Sequence, residues 1–324
     1  SLEIYPQSVR NHYRKGKLII EKQAPYLLFG KRAYGSREAE LLREIREVGE
    51  EHLATAIALY EALEDEEAKS RDRREYAKAL YVLGGYYLDD AYLPVHEYFL
   101  RRIAGREDMP SIALISKLDI QSAIELLEKA FYAETDMPLS QLDTAQLAQL
   151  NKQWTRSPVE KLYKLGCAES AAAFIALAEG DSDALARHAR SAVRYLQAAK
   201  AVADQSQDRR RNTWHISEKL AWAHIYTGQY DRAARLISRA KAGYIVNTYA
   251  IALLLMNTSA SLRRAEEVLS AAVRDGHNLA SGLSSVLWAY VRARRGQDIP
   301  PLEKTLSARN RRLAALLGVA GETM

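Results

Sequence analysis

The chain has 324 residues and a formal net charge of +5, with 48% hydrophobic and 27% charged residues, a balance that excludes a largely disordered polypeptide. Only 16 glycines and 8 prolines occur, and the dominant Leu, Ala, Glu and Arg are strong helix formers, which argues against a β-rich fold. The single cysteine, Cys167, excludes an intramolecular disulfide and any multi-cysteine zinc or iron–sulfur site.

Helical periodicity runs strongly from about residue 36. Leu41, Ile45, Val48 and His52 recur at the spacing of one helix face, and Leu53, Ile57 and Tyr60 continue it to the acidic run Glu64–Glu67. A second helix is expected over Arg74–Leu88, where Tyr76, Leu80, Leu83 and Tyr87 share a side. Pro94 sits where a first-turn proline is tolerated and opens a short helix toward Ile103. Pro110 opens another, which carries Ile115, Leu118, Ile124, Leu127 and Phe131. Met137-Pro138 and Trp154–Pro158 read as linkers. Ser157-Pro158-Val159-Glu160 combines a capping serine, a first-turn proline and a capping-box glutamate, so the domain boundary is placed there, dividing 1–156 from 157–324. Beyond it the alanine-rich stretches Tyr163–Glu179 and Ser182–Ala203 form one helix pair. After a polar, basic break at Gln205–Asn212, four shorter helices are expected to about Arg295, and a last one from Pro300-Pro301.

An internal repeat lies in this second half. Leu220-Ala221-Trp222-Ala223, then Gly228-Gln229-Tyr230, then Ala233, Ile237 and Ala240 form one unit. Ala252-Leu253, the turn at Asn257–Ala260, Ala265, Leu269 and Ala272 follow 32 residues on. Trp288-Ala289, Gly296 and Ala308 follow 36 residues later, and Ala172-Ala173, Gly180-Asp181, Ala189 and Ala192 precede by 48. Small residues at fixed places let paired helices approach, and glycine relieves the turn between them. In these residues the chain resembles the tetratricopeptide repeat (TPR), whose period is about 34 residues. It departs at Ser217, where the repeat usually has Trp, and at His224, where it usually has Tyr. Gly84-Gly85-Tyr86 and Ala123–Ala130 hint at degenerate repeats in the first half.

The resemblance implies an all-α fold: a helix-pair, TPR-like superhelix over about 157–324, joined to an additional N-terminal helical region. It also implies a partner-binding concave groove lined by the first helix of each pair. Carried over, the groove residues are His215, Glu218, Trp222 and Ile225, then Asn247, Leu254 and Asn257, then Val286 and Tyr290. Trp222, Leu254 and Tyr290 stand at matching places in successive units. An aromatic and apolar strip with asparagines suits an extended peptide, and equally an ordinary core.

Little else points to chemistry. Histidines 12, 52, 96, 188, 215, 224 and 277 show no metal-ligand spacing along the chain, and no phosphate-binding loop or nucleophile elbow occurs. Cys167 reads as a buried packing residue, and Asp89-Asp90 and Glu64–Glu67 as solvated helix ends. No catalytic residue, metal or cofactor is expected. Residues 1–150 carry net −6 and residues 151–324 net +11, the latter with arginines at 209–211, 292–295 and 309–312. Such a surface suits solvation, an acidic partner or an anionic surface. The expected function is therefore a non-catalytic scaffold or adaptor for a protein or peptide. The alternative is an extracytoplasmic bacterial accessory protein, monomeric or homo-oligomeric, holding a hydrophobic solute or lipid. Nucleic-acid binding through the arginines ranks third, since no helix-turn-helix is seen. No run of eighteen or more apolar residues occurs, so no membrane-spanning segment is expected. The chain opens without a signal peptide or initiator Met, so a removed leader and a periplasmic or membrane-anchored setting are favoured over the cytoplasm.

Overall fold

Helix start signals written in the sequence are used where the backbone needs them. Ser8 accepts a hydrogen bond from the Asn11 amide at 3.3 Å, Asp65 accepts from Glu67 and Ala68 at 3.2 Å each, and Ser307 accepts from Asn310 at 3.2 Å. Each satisfies amides that a first helical turn leaves without partners. The computed structural model describes residues 7–23, 36–149, 158–205, 213–239, 243–274, 281–299, 302 and 306–320. All regular structure among these is helical.

In chain order the helices are α1 (Val9–Leu18, continued by a π turn, Ile19–Gln23), α2 (Ser36–Glu61), α3 (Glu66–Asp90), α4 (Val95–Ile103) and α5 (Leu114–Thr135). A 3-10 turn, Leu139–Gln141, precedes α6 (Thr144–Gln149). Then come α7 (Pro158–Glu179), α8 (Ser182–Gln205), α9 (Trp214–Tyr226), α10 (Tyr230–Ile237), α11 (Gly243–Met256), α12 (Ser259–Arg274), α13 (Ser281–Arg294) and α14 (Ala308–Leu316).

Two compact units emerge. The first comprises residues 1–91 and 115–168, the second residues 92–114 and 169–324, so the cut falls inside α7. This differs from a division at 156/157. The unit of 157–324 gains α4 from the first half of the sequence and yields the start of α7.

In the first unit α1, α2 and α3 pack on one another. The crossing of α1 and α2 is set by paired glycines: a Cβ on Gly16 would lie 2.8 Å from the Gly49 carbonyl oxygen and 2.8 Å from Leu53 Cγ. The buried stripe of α2 is Gly49, Leu53 and Ala56, while Val48 points outward at 44% exposure. Helix α3 begins eight residues before the expected Arg74, because Asp65 caps it and Glu66 and Glu67 occupy its first turn, where the helix dipole favours negative charge. The acidic run is thus a helix start. Lys161 and Glu134 form an ion pair whose side chains are almost fully buried. Asp89 pairs with Lys164 and Asp90 with Arg46.

The second unit repeats helix pairs. Each helix from α8 to α14 packs on the next, and α9, α11 and α13 also pack side by side. The turns within the pairs share a residue in the left-handed conformation. Gly180, Gly228 and Gly296 have φ of 75°, 75° and 67°, with Asn257 at 50° in the remaining turn. At the three glycines the following amide reaches back five residues, Asp181 to Ala176, Gln229 to His224 and Gln297 to Arg292. This closes the helix with a left-handed residue that glycine adopts without steric cost. Between residues 214 and 294 there are five helices where four were expected, and the last described helix starts at Ala308. Pro300, Pro301, Trp154–Ser157 and most of the break at 205–212 lie outside the described residues.

The glycine crossing is testable. Gly16→Ala forces backbone apart and should lower unfolding free energy by about 1–3 kcal/mol in urea titration. Gly85→Ala meets only Lys164 at 3.7 Å and should be neutral or stabilising by up to about 1 kcal/mol.

Candidate functional site

The nine expected groove residues come from the first helices α9, α11 and α13 and the turn after α11, and five of them, Trp222, Ile225, Leu254, Val286 and Tyr290, belong to one apolar cluster. Their surroundings differ from an open groove. Glu218, Trp222, Ile225, Asn247, Leu254, Val286 and Tyr290 are buried, and only His215 and Asn257 are exposed.

Helix α4 packs on two of them, Trp222 and Tyr290. This nine-residue helix carries Tyr98, Phe99 and Leu100, all buried in one apolar cluster with α7 to α14. The Phe99 ring lies 5.7 Å from Trp222 and is stacked 5.9 Å from Tyr226. Tyr98 meets Phe174 edge-on at 5.4 Å. The Tyr290 hydroxyl donates to the Ile103 carbonyl at 3.0 Å, which satisfies a group at the end of α4. Such ring pairs contribute about 0.5–1.5 kcal/mol each beyond the area they bury. Helix α4 also touches α11 and α14. It thus meets side chains or backbone of α9, α11, α13 and α14.

Polar groups on that face are spent on neighbouring helices. One oxygen of Glu218 accepts from Trp222 Nε1 at 3.3 Å and from the Thr248 hydroxyl at 3.0 Å, joining α9 to α11. Asn247 Oδ1 accepts from Ser284 at 2.7 Å, joining α11 to α13 in the same way. A carboxylate and an amide that could have held a peptide backbone therefore staple adjacent pairs. Asn257 accepts from Arg294 at 3.0 Å. His215 stacks on Tyr244, whose hydroxyl lies 2.6 Å from His215 Nδ1. With Trp214, also partly exposed, these two residues form the open rim of the face.

His96 was not expected to matter. It stands edge-on to Trp222 at 5.5 Å. Burial, with Arg309 and Lys219 adding repulsion, pushes its imidazole from 6.5 down to about 4. Burial also lowers His224, which occupies the packing position expected of it. In the first unit His12 Nδ1 and His52 Nδ1 lie 3.0 Å apart across α1 and α2, and burial lowers His52. This pair is invisible to a search for ligand spacing along one helix. Among the described residues no group of three or more His, Cys, Asp or Glu side chains is placed to hold a metal ion, and no helix is long and apolar enough to cross a membrane.

Cys167 is partly rather than fully buried. Arg292 and Arg295 both pair with Glu266, and Arg294 bonds Tyr290 and Asn257, so this arginine cluster braces turns instead of presenting free charge. The cluster at 209–211 lies outside the described residues. Comparisons with family models, with curated proteins and with solved structures gave no match. The TPR resemblance therefore rests on the residues of the sequence alone.

The histidine in this packing gives a pH prediction. A folded-state pKa below 6.5 means that the folded chain binds fewer protons than the unfolded one in acid. The His96 contribution is complete above about pH 6.5 and is lost as pH falls toward 4. Urea unfolding at pH 7.5 and 5 should show a loss about 2 kcal/mol larger in the wild type than in His96→Phe. His52 and His224 act in the same direction in both proteins and cancel in that difference.

Proposed function

We propose that the second unit is a TPR-like protein-interaction module, and that the chain acts as a non-catalytic scaffold. In this reading the helix pairs curve into a superhelix whose concave side is the face formed by α9, α11 and α13. That face takes up a short helix presenting adjacent aromatic residues. In the folded chain the occupant is the segment 92–114, and a partner helix of the same chemistry reaches the face by exchanging with it.

One observation supports this above the rest. Helix α4 is seated across several first helices through its Tyr98 and Phe99 rings and the Tyr290–Ile103 bond, although it is far from them in sequence. A helix laid by its apolar side into a groove is a common recognition mode, and buried aromatic anchors supply most of its affinity. The exposed rim of Trp214, His215 and Tyr244 offers first contact while the centre is occupied.

A labelled peptide spanning Tyr92–Leu114 tests the reading against the full chain by fluorescence anisotropy. Phe99→Ala, checked for retained helicity, should bind it saturably, at least about ten-fold more tightly than the wild type. The milder Tyr290→Phe should fall between them, and adding Trp222→Ala should abolish binding. Binding to none of these proteins, or equally to all, contradicts the proposal.

A further inference from the structure

A second feature lies wholly within the first unit and involves none of the residues around α4. Where the end of α2, the start of α3 and the end of α5 meet the Pro138-Leu139 turn, they enclose a cleft of about 550 Å³. Small-molecule sites typically span about 300–1,000 Å³. The lining is Tyr60, Arg73, Tyr76, Glu128, Lys129, Tyr132, Ala133, Pro138 and Leu139.

Its apolar surface is mostly aromatic. Tyr60 and Tyr76 are stacked with centroids 4.0 Å apart and planes 13° from parallel, while Tyr132 is 54% exposed. The hydroxyl of Tyr76 donates to Glu61 at 2.9 Å, which fixes that ring. No hydrogen bond engages the hydroxyls of Tyr60 and Tyr132 among the described residues, and both are available as donors.

The cations are placed differently from one another. Arg73 is held rigidly: its Nε donates to the Ala133 carbonyl at 2.5 Å and its Nη2 to Asp136. The remaining Nη1 has no partner among the described residues. Lys129 reaches Glu61 only at 3.8 Å and is 61% exposed. The cleft therefore combines flat apolar walls with two cations. Asp136 engages one side of Arg73, Glu61 lies by Tyr76 and Lys129, and Glu128 is in the wall, which leaves Arg73 Nη1 and the exposed Lys129 ammonium as the donors for an anionic group. Guanidinium and ammonium groups favour a carboxylate, and the guanidinium plane also stacks on rings.

We propose that this cleft is a binding site for a small aromatic carboxylate of one or two fused rings. The ring lies against Tyr132 and the Tyr60–Tyr76 pair, and the carboxylate faces Arg73 and Lys129. An aliphatic acid would lose the stacking, and a neutral aromatic amide would lose the charge-assisted bonds.

Calorimetric titration of the full chain with indole-3-acetate, indole-3-acetamide and hexanoate tests this. Saturable binding is expected for indole-3-acetate, at least five-fold weaker for the amide and undetectable for hexanoate. Lys129→Gln and Tyr132→Ala change exposed side chains and should each weaken indole-3-acetate at least five-fold without altering the unfolding transition. Arg73→Gln should weaken it further. No saturable binding of the acid up to millimolar concentration, equal affinity for acid and amide, or unchanged affinity in both surface variants would overturn the proposal.

Discussion

The burial of Phe99 against Trp222 and Tyr226 is the contact on which the organisation of the second unit depends. It joins a helix from the first third of the chain to an array built from the last half, and so closes a long loop. Such closure has an entropic cost that only a dense apolar contact can offset. The rings of Tyr98, Phe99, Phe174, Trp222 and Tyr226 form that contact, and the hydroxyl of Tyr290 anchors the end of the helix they carry. A nine-residue helix is too short to persist alone in water. Its order and the burial of the face beneath it therefore depend on each other.

This mutual dependence gives the face its character. Side chains at the places where a TPR groove would meet a ligand, Glu218 and Asn247 among them, are bonded to Thr248 and Ser284 on adjoining helices. They help set the spacing of α9, α11 and α13, and α4 completes the burial of the apolar side chains among them. The partly buried His96 places a titratable group inside the same packing, so acid is expected to weaken the docking of α4.

Much of the helical order was legible in the residues. Pro94 stands at a helix start and Gly180, Gly228, Asn257 and Gly296 at the turns the repeat pattern assigned to them. The caps Asp65 and Ser307 were missed, since the acidic run reads as a helix end and the last helix as starting at Pro300. Alanines 221, 233 and 265 are fully buried, as close pairing requires. Local rules reach this far because caps and turns depend on neighbours in sequence. They cannot reach the docking of α4, since the sequence of Val95–Ile103 says that one side is apolar and not what will cover it. The same limit explains the division inside α7 and the pairing of His12 with His52 across two helices. It also explains the cleft of Tyr60, Tyr76 and Tyr132, whose walls come from three helices. Trp222 and Tyr290 lie in one apolar cluster, and their burial there involves a segment more than a hundred residues away.

The most direct test is hydrogen exchange of the full chain, followed amide by amide in wild type and Phe99→Ala. If α4 and its face are one cooperative unit, wild-type amides of 99–103 are protected as strongly as those of α9. In Phe99→Ala, protection should fall together in α4, α9 and α11 while α1 to α3 keep theirs. Rapid exchange of α4 in the wild type, or loss in α4 with no change in α9 and α11, would contradict the account.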